Sequence, residues 1–339
     1  MLGHGEMTGL DLGSHSAAIG PAIDAALSAA APFCGATAPN PPVGASAIDH
    51  QGNLLGSAAH ERAGRAHAEA ALLERLAREG RLGQVHTLVV TLEPCNHTGR
   101  TPPCTEAILR AQIPRVVFLV ADPHPKAAGG GERLRASGVE VLGAEQMRPV
   151  LSVEQREKLV LQLGPFLKRV TQGLPWITIK QALDPQGSMI PPPGTKTFTS
   201  ESSLRFAHEL RRRSDAILTG SGTILADEPE FTVRKIPDHR EKIRALWIAD
   251  RRARVGDAFL RDALSRRLMA ERVPDWREAL TQAGSLGVLE VLVEAGPGLS
   301  AAVLQSQLWD RWVRFQVREG EPDTVLDEMA PVWKSSTLI

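Results

Sequence analysis

From residue 86 to residue 143 the chain alternates short β-branched runs with helix-forming stretches. "HTLVVTLE" (86–93), "RVVFLVA" (115–121) and "VEVLG" (139–143) have strand composition, and "TEAILRAQI" (105–113) and "GGERLRASG" (130–138) between them are helical. Such alternation leaves little choice of fold: helices form the crossovers, successive strands run parallel, and the sheet is covered on both faces. Upstream, "AAIGPAIDAALSAAAPF" (17–33) reads as a first helix. The "DHQGN" turn between Val43–Ile48 and Leu54–Ala59 signals a hairpin, and "HAEAALLERLAREG" (67–80) is a helix that stops at Gly80. The expected order is α-β-β-α-β-α-β-α-β, a three-layer α/β/α domain over 18–145 preceded by a flexible tail over 1–17.

Residues 146–174 read as a polar helical connection. A second α/β domain over 175–339 is expected from the apolar strands "PWITIKQAL", "ALWIAD", "LEVLVEAG" and "WVRFQV" and from "SLRFAHELRRRSDAIL", a helix running into a strand. Two domains suit a chain of 339 residues. Three cysteines are too few for a disulfide framework and point to a reducing, cytoplasmic setting. No apolar run reaches the roughly 18 residues needed to cross a bilayer, so no membrane partner is expected. Lys and Arg (39) balance Asp and Glu (39), and aromatic residues make up 4%. Both facts argue against a nucleic-acid partner, which needs basic grooves and stacking rings. The basic clusters "ELRRR" and "DRRAR" read as solvated faces. The apolar strand edges leave room for a homo-oligomer.

Two of the three cysteines fall in "LEPCNHTGRTPPC" (92–104), between a buried strand and a helix start. His67 and Glu69 begin the preceding helix, so both helix N-termini can face each other at the carboxyl end of that strand. One imidazole and two thiolates from His67, Cys95 and Cys104 would then meet as three protein ligands of an open zinc site. Zinc and the positive helix ends both favour thiolate. Glu69 is the candidate catalytic proton carrier, and His-x-Glu followed by Pro-Cys and a second Cys is the pattern of zinc-dependent base deaminases. A closed structural site would need a fourth ligand, for which His97 is the nearby candidate. Cys34 reads as a small buried residue. In the second half, "AILTGSGT" is a strand entering a turn where Gly220 and Gly222 permit close approach of a ligand, and "EAGPGLSAA" is a strand, a glycine turn and a helix start fit for a phosphate. A purely structural turn is the alternative in both places.

"NPPVG", "H-x6-HAE", "LEPCNHTGRTPPC" and "ADPHP" together resemble the deaminase half of the bifunctional deaminase/reductase family of riboflavin biosynthesis. The eight-residue gap between the cysteines carrying "GRTPP" separates this branch from the Pro-Cys-x-x-Cys deaminases of cytidine and nucleic acids. The resemblance implies a cytidine-deaminase-like first domain that hydrolyses the 2-amino group of 2,5-diamino-6-ribosylamino-4(3H)-pyrimidinone 5′-phosphate. It also implies that Asn40, His60, His97 and Arg100 contact this phosphorylated pyrimidine. "LRRRSDAILTGSGTILADEPEFTVR" (210–234) and "VLVEAGPGLSAAVL" (291–304) resemble the reductase half, of dihydrofolate-reductase-like fold. There the resemblance implies that Thr223, Asp227 and the turn of Gly296, Pro297 and Gly298 contact NADPH. Lys180, Arg211, Arg234 and Glu294 would contact the ribosyl phosphate as hydride reduces it to a ribityl chain. Departures stand beside these matches. "DPQG" (184–187) replaces the usual "SLDG", "GTKTFTS" (194–200) lacks a tryptophan, and a final strand and helix are expected to be missing. A deaminase with a silent second half, and a related deaminase of a secondary pathway, are the alternatives at this point.

Overall fold

The computed structural model describes residues 16–98, 102–190, 198–318 and 321–334. Two units form: residues up to Phe33 with Pro42–Leu163, and Cys34–Pro41 with the chain from Gly164 onward. Apart from Ser16 and Ala17, which open the first helix, the expected tail lies outside the described residues.

The first unit runs α1 (Ser16–Ala30), β1 (Gly44–Ile48), β2 (Leu54–Ala59), α2 (Ala68–Arg78), β3 (Thr87–Val90), α3 (Cys104–Arg110), β4 (Arg115–Phe118), α4 (Gly130–Ala136), β5 (Glu140–Leu142), α5 (Ala144–Met147) and into α6 (Val153–Gln172). The first nine elements have the order the sequence predicts. The sheet order is β2-β1-β3-β4-β5. The hairpin β1–β2 and the pair β1–β3 are antiparallel, and β3, β4 and β5 run parallel. The turn between β1 and β2 is closed by Asp49, whose Oδ1 accepts the N–H groups of Gln51 and Asn53, while Gly52 adopts φ +86°. In α1, Ile19, Ala22, Ile23, Ala26, Leu27 and Ala30 fall on one face at helical spacing and are all buried. That face lies on β1, where Ser46 Oγ donates to the Ala22 carbonyl. Ala45 and Ala47 alternate with Ser46 and point to the opposite layer, packing in one core with Leu72, Leu76, Ile108 and Leu134 from α2, α3 and α4. Helices therefore cover both faces.

The second unit comprises β6 (Trp176–Leu183), α7 (Glu201–Arg213), β7 (Ala216–Gly220), α8 (Ser221–Asp227), β8 (Arg244–Ala249), α9 (Asp257–Ser265), β9 (Leu268–Val273), α10 (Trp276–Ala283), β10 (Glu290–Val293), α11 (Pro297–Gln305), β11 (Arg311–Arg318), β12 (Glu321–Met329) and α12 (Pro331–Lys334). Its sheet order is β12-β11-β6-β10-β7-β8-β9. Every neighbouring pair is parallel except β11–β12. Ile217, Leu246, Ile248 and Leu292 face α7 and α9, while Ala216, Leu218, Trp247, Val291 and Val293 face the opposite core. Buried Asp310 ties three segments together. Its carboxylate accepts from Lys168 Nζ at 2.6 Å, the Ile177 N–H at 2.7 Å and Trp333 Nε1 at 2.8 Å.

Two expectations are corrected here. The chain does have a final strand and a short helix, β12 and α12; β12 is acidic and half-exposed, so it carries no apolar alternation. The "ELRRR" cluster is not a solvated face. Arg211 and Arg213 turn inward to Glu294 and Glu290, because α7 delivers its last turn beside the strand that carries those carboxylates. In "DRRAR", Arg251, Arg252 and Arg254 are exposed, as expected, while Asp250 is buried.

Gly44 shows how closely α1 rests on the sheet: a Cβ there would collide with the Ala26 carbonyl oxygen. Gly44→Ala is expected to cost about 1–3 kcal/mol through overpacking. The check is the urea midpoint of unfolding, and an unchanged midpoint would mean that α1 can lift off β1 freely.

Candidate active sites

In the first unit α2 runs into β3 and α3 follows it, so the N-termini of both helices lie at the carboxyl end of β3. His67 is the N-cap of α2, Glu69 is in its first turn, Cys104 is the first residue of α3, and Cys95 sits on the loop after β3. The ligand atoms of His67, Cys95 and Cys104 all lie within 4.8 Å of one another. His67 Nδ1 is 3.5 Å from Cys95 Sγ and 3.3 Å from Cys104 Sγ. Tetrahedral zinc with bonds of about 2.1 Å to nitrogen and 2.3 Å to sulfur needs N···S separations of about 3.6 Å. The donor set and its spacing therefore fit zinc. Among the described residues no fourth His, Cys, Asp or Glu joins the group. His97, the candidate for closing the site, is exposed on the loop after Cys95.

The local electrostatics follow from crowding these groups together. The hydrogen bond from Cys104, with His67 beside it, draws the Cys95 thiol down to about 4, and the Cys104 N–H donates to Cys95 Sγ at 3.3 Å. Cys104 is pushed upward by sharing its proton with Cys95, by burial and by Glu69. The hydrogen bond to Cys95 raises His67. Burial lifts the Glu69 carboxyl to about 7, and its side chain reaches Cys104. A divalent cation would replace the protons of both thiols.

His60 also reaches this place. Its ring stacks edge-on against His67 with centroids 5.2 Å apart, its Nδ1 lies 3.1 Å from the Ala66 carbonyl, and burial lowers its basicity. Asn40 belongs to the segment that clusters with the second unit, where its N–H donates to the Thr37 carbonyl. Arg100 lies outside the described residues. Sequence reasoning missed Glu93, whose carboxylate accepts the Asp122 and Gly131 N–H groups. The available signal was an acidic residue just after a wholly buried strand, next to a ligand loop.

In the second unit the register of β6 with β10 places Ile179 opposite Val293, so the next positions are Lys180 and Glu294. Lys180 Nζ lies 3.2 Å from Glu294 Oε1. Arg211, from the last turn of α7, grips the same carboxylate with Nε at 2.7 Å and Nη2 at 2.6 Å. Although burial acts the other way, the two cations hold the Glu294 carboxyl well below the usual carboxylate range. Arg211 Nη1 donates to the Thr232 carbonyl, and Arg234 Nη1 donates to Thr232 Oγ1, so the two predicted arginines meet at one residue. Arg234 is exposed and pairs with Glu230 at 3.3 Å. His208 was also missed. It accepts the Arg234 N–H at 3.0 Å, and burial with Arg211 and Arg234 nearby drives its pKa to about 4. Its spacing three residues before Arg211 in a helix was the usable signal.

The two glycine turns are joined: the Gly296 N–H donates to Thr223 Oγ1 at 2.9 Å. Pro297 opens α11, and Pro297 and Gly298 are exposed. A Cβ on Gly222 or Gly298 would meet nothing within 4 Å. The free first N–H groups of α11 and this open cradle suit a phosphate-bearing cofactor. Asp227, the last residue of α8, is exposed.

Residues 21–120 match the cytidine and deoxycytidylate deaminase zinc-binding region, and residues 175–317 match the RibD C-terminal domain. The riboflavin biosynthesis protein RibD of Aquifex aeolicus is 33% identical over 313 residues, covering 86% of this chain and 84% of its own. RibD of Escherichia coli is 35% identical over 314 residues, 82% of each chain. The structure of Acinetobacter baumannii RibD superposes with a TM-score of 0.72 at 26% identity, covering 90% of this chain and 89% of its own. Matches to both halves of one family favour the bifunctional reading over a deaminase with a silent second half or a deaminase of a secondary pathway. The chain belongs to the RibD family of riboflavin biosynthesis proteins, which join a zinc-dependent deaminase to an NADPH-dependent reductase.

Proposed function

We propose that His67, Cys95 and Cys104 hold the zinc ion of the deaminase and that Glu69 moves its protons. The substrate is the diaminopyrimidinone ribosyl phosphate expected from the sequence, and the reductase then acts on the deaminated product. The observation that carries this reading is the convergence of three donors within 4.8 Å beside a buried carboxyl. Zinc held there supplies Lewis acidity that lowers the pKa of a water toward about 7. Glu69, buried in the first turn of α2 beside these ligands, takes the proton that water gives up and delivers it to the departing amine. His60, beside His67, orients the pyrimidine, with Asn40, His97 and Arg100 as further contacts.

In the reductase, Thr223, Asp227, Gly296, Pro297 and Gly298 hold NADPH, which supplies hydride. Glu294 fixes Lys180 and Arg211 at the sheet end so that they and Arg234 present positive charge to the ribosyl phosphate. The working domains are 18–145 and 175–339, linked by 146–174. A cytoplasmic location and a small-molecule substrate, without nucleic acid, agree with three unpaired cysteines and a balanced net charge.

Glu69→Gln is expected to lower deamination by at least about 10²-fold while retaining zinc. Cys95→Ser is expected to lose zinc, and both variants should keep the reductase rate. Zinc content and product mass on the pyrimidine phosphate check this, and wild-type deamination by Glu69→Gln would overturn the role given to it.

A pH dependence follows for the second unit. The folded pKa of Glu294 lies below its ordinary value of 4.5, so its contribution is fully present above that value and is lost as pH falls through the folded pKa. Glu294→Gln leaves two cations without their counter-charge and is expected to cost about 3–5 kcal/mol near neutral pH. Melting temperatures measured between about pH 5 and pH 3 should fall more steeply for the wild-type protein than for Glu294→Gln.

A further inference from the structure

We infer that Glu93 is a positioning residue of the deaminase site: its carboxylate fixes the loop that presents Cys95 to the metal. The inference rests on the metal-holding role proposed for Cys95. Glu93 lies two residues before Cys95, where β3 has ended but its pairing with the neighbouring chain continues, since the Glu93 N–H donates to the Val120 carbonyl at 2.8 Å. Each oxygen of its side chain takes one backbone N–H from a different segment. Oε1 accepts from Gly131 in the first turn of α4 at 2.9 Å, and Oε2 accepts from Asp122, after β4, at 3.2 Å. One carboxylate thus joins the ends of two adjacent parallel strands to the helix beside them. A neutral amide cannot do the same, because one of its two ends is a donor and would face another donor.

The next residue is held from the other side. A Cβ on Gly130 would collide with the Pro94 carbonyl, so α4 rests directly on the Pro94–Cys95 peptide. Beyond Cys95 the Asn96 N–H donates to the Ala127 carbonyl at 3.0 Å, and Asn96 Oδ1 accepts from Thr105 Oγ1 and Arg133 Nη1. The Cys95 carbonyl accepts the Thr105 N–H at 3.3 Å. Downstream of Cys95 the loop is therefore anchored by contacts to α3 and to the segment before α4. Upstream, the only side chain supplying hydrogen bonds within two residues, among those described, is Glu93. Releasing it frees the backbone on one side of the sulfur, and the cost falls on the Cys95 arm of the tripod rather than on His67 or Cys104. Groups that orient a metal ligand in this way change metal affinity about 10–100-fold when removed.

The test uses the full chain. Zinc release to a colorimetric chelator and the thiolate-to-metal absorption of the cobalt-loaded protein are measured for wild type, Glu93→Gln, Glu93→Asp and Cys95→Ser. Far-UV circular dichroism and the protease resistance of the first unit report that the variants are folded there. Glu93→Gln is expected to bind zinc about 10–100-fold more weakly, to shift the cobalt band, and to recover deamination when zinc is added in excess. Glu93→Asp keeps the charge but shortens the reach, and it covers the case in which the Gln variant does not fold; it is expected to release zinc faster than wild type. Wild-type zinc affinity and cobalt spectrum in a folded Glu93 variant would overturn the inference. Zinc retention by Cys95→Ser would instead overturn the metal assignment on which it rests.

Discussion

Parallel strand pairing is the constraint on which both halves of this protein depend. A parallel pair cannot be closed by a tight turn, so each strand is followed by a helix and each helix begins near the carboxyl end of the sheet. In the first unit that rule brings His67 and Cys104, 37 residues apart, to 3.3 Å from one another through α2 and α3. In the second it sets Lys180 beside Glu294 through the register of β6 and β10, across 114 residues of sequence. Neither constellation is local in sequence. Both are local in the sheet, and a one-residue slip in either register would send one member to the opposite face.

The two sites solve the problem of buried charge in opposite ways. The reductase cluster pairs its buried carboxylate from within and keeps one positive charge over: one carboxylate faces a lysine and a bidentate arginine. The deaminase cluster does not. Two thiols, an imidazole and the Glu69 carboxyl are gathered, and among the described residues no lysine or arginine is one of the groups that perturb them. The missing positive charge is what a divalent cation brings, and in this physical sense the first unit is built around its metal, whereas the second is built to hold its own charges in place for a cofactor and a substrate.

The strands buried on both faces, the hairpin and the helix starts at His67 and Cys104 were legible because each rests on short-range rules: β-branched runs, turn residues and helix-forming composition. The convergence of His67, Cys95 and Cys104 was legible because these residue types are rare and their order along the chain is distinctive. Other features obey rules that hydrophobic pattern cannot carry. β12, "EPDTVLDEM", is held to β11 by cross-strand ion pairs, Asp327 with Arg311 and Glu328 with Arg314, and so looks like a polar tail in sequence. β9 pairs with β8 at the sheet edge and exposes Met269, which blurs its apolar alternation. Glu93 and His208 bind backbone N–H groups of segments distant in sequence. Arg211 and Arg213 were read as solvated because a basic run usually is; their acidic partners sit just after β10 and on it, 83 and 77 residues downstream.

Glycines separate what the chain needs for itself from what it keeps open for something else. At Gly44 and Gly130 a side chain would strike a carbonyl oxygen of the chain's own backbone, Ala26 in one case and Pro94 in the other, so folding alone explains the absence of a Cβ. Gly222 and Gly298 are different. Neither has a left-handed backbone, and a Cβ at either would meet no atom within 4 Å. Any small residue would satisfy the fold at these two positions. They lie on the two turns that Thr223 and Gly296 hold together, next to the first N–H groups of α11. Bare backbone that the fold does not require supports the proposal made above, that a phosphate-bearing ligand comes within van der Waals distance of the main chain at these turns, and NADPH is the cofactor of this family's reductase half.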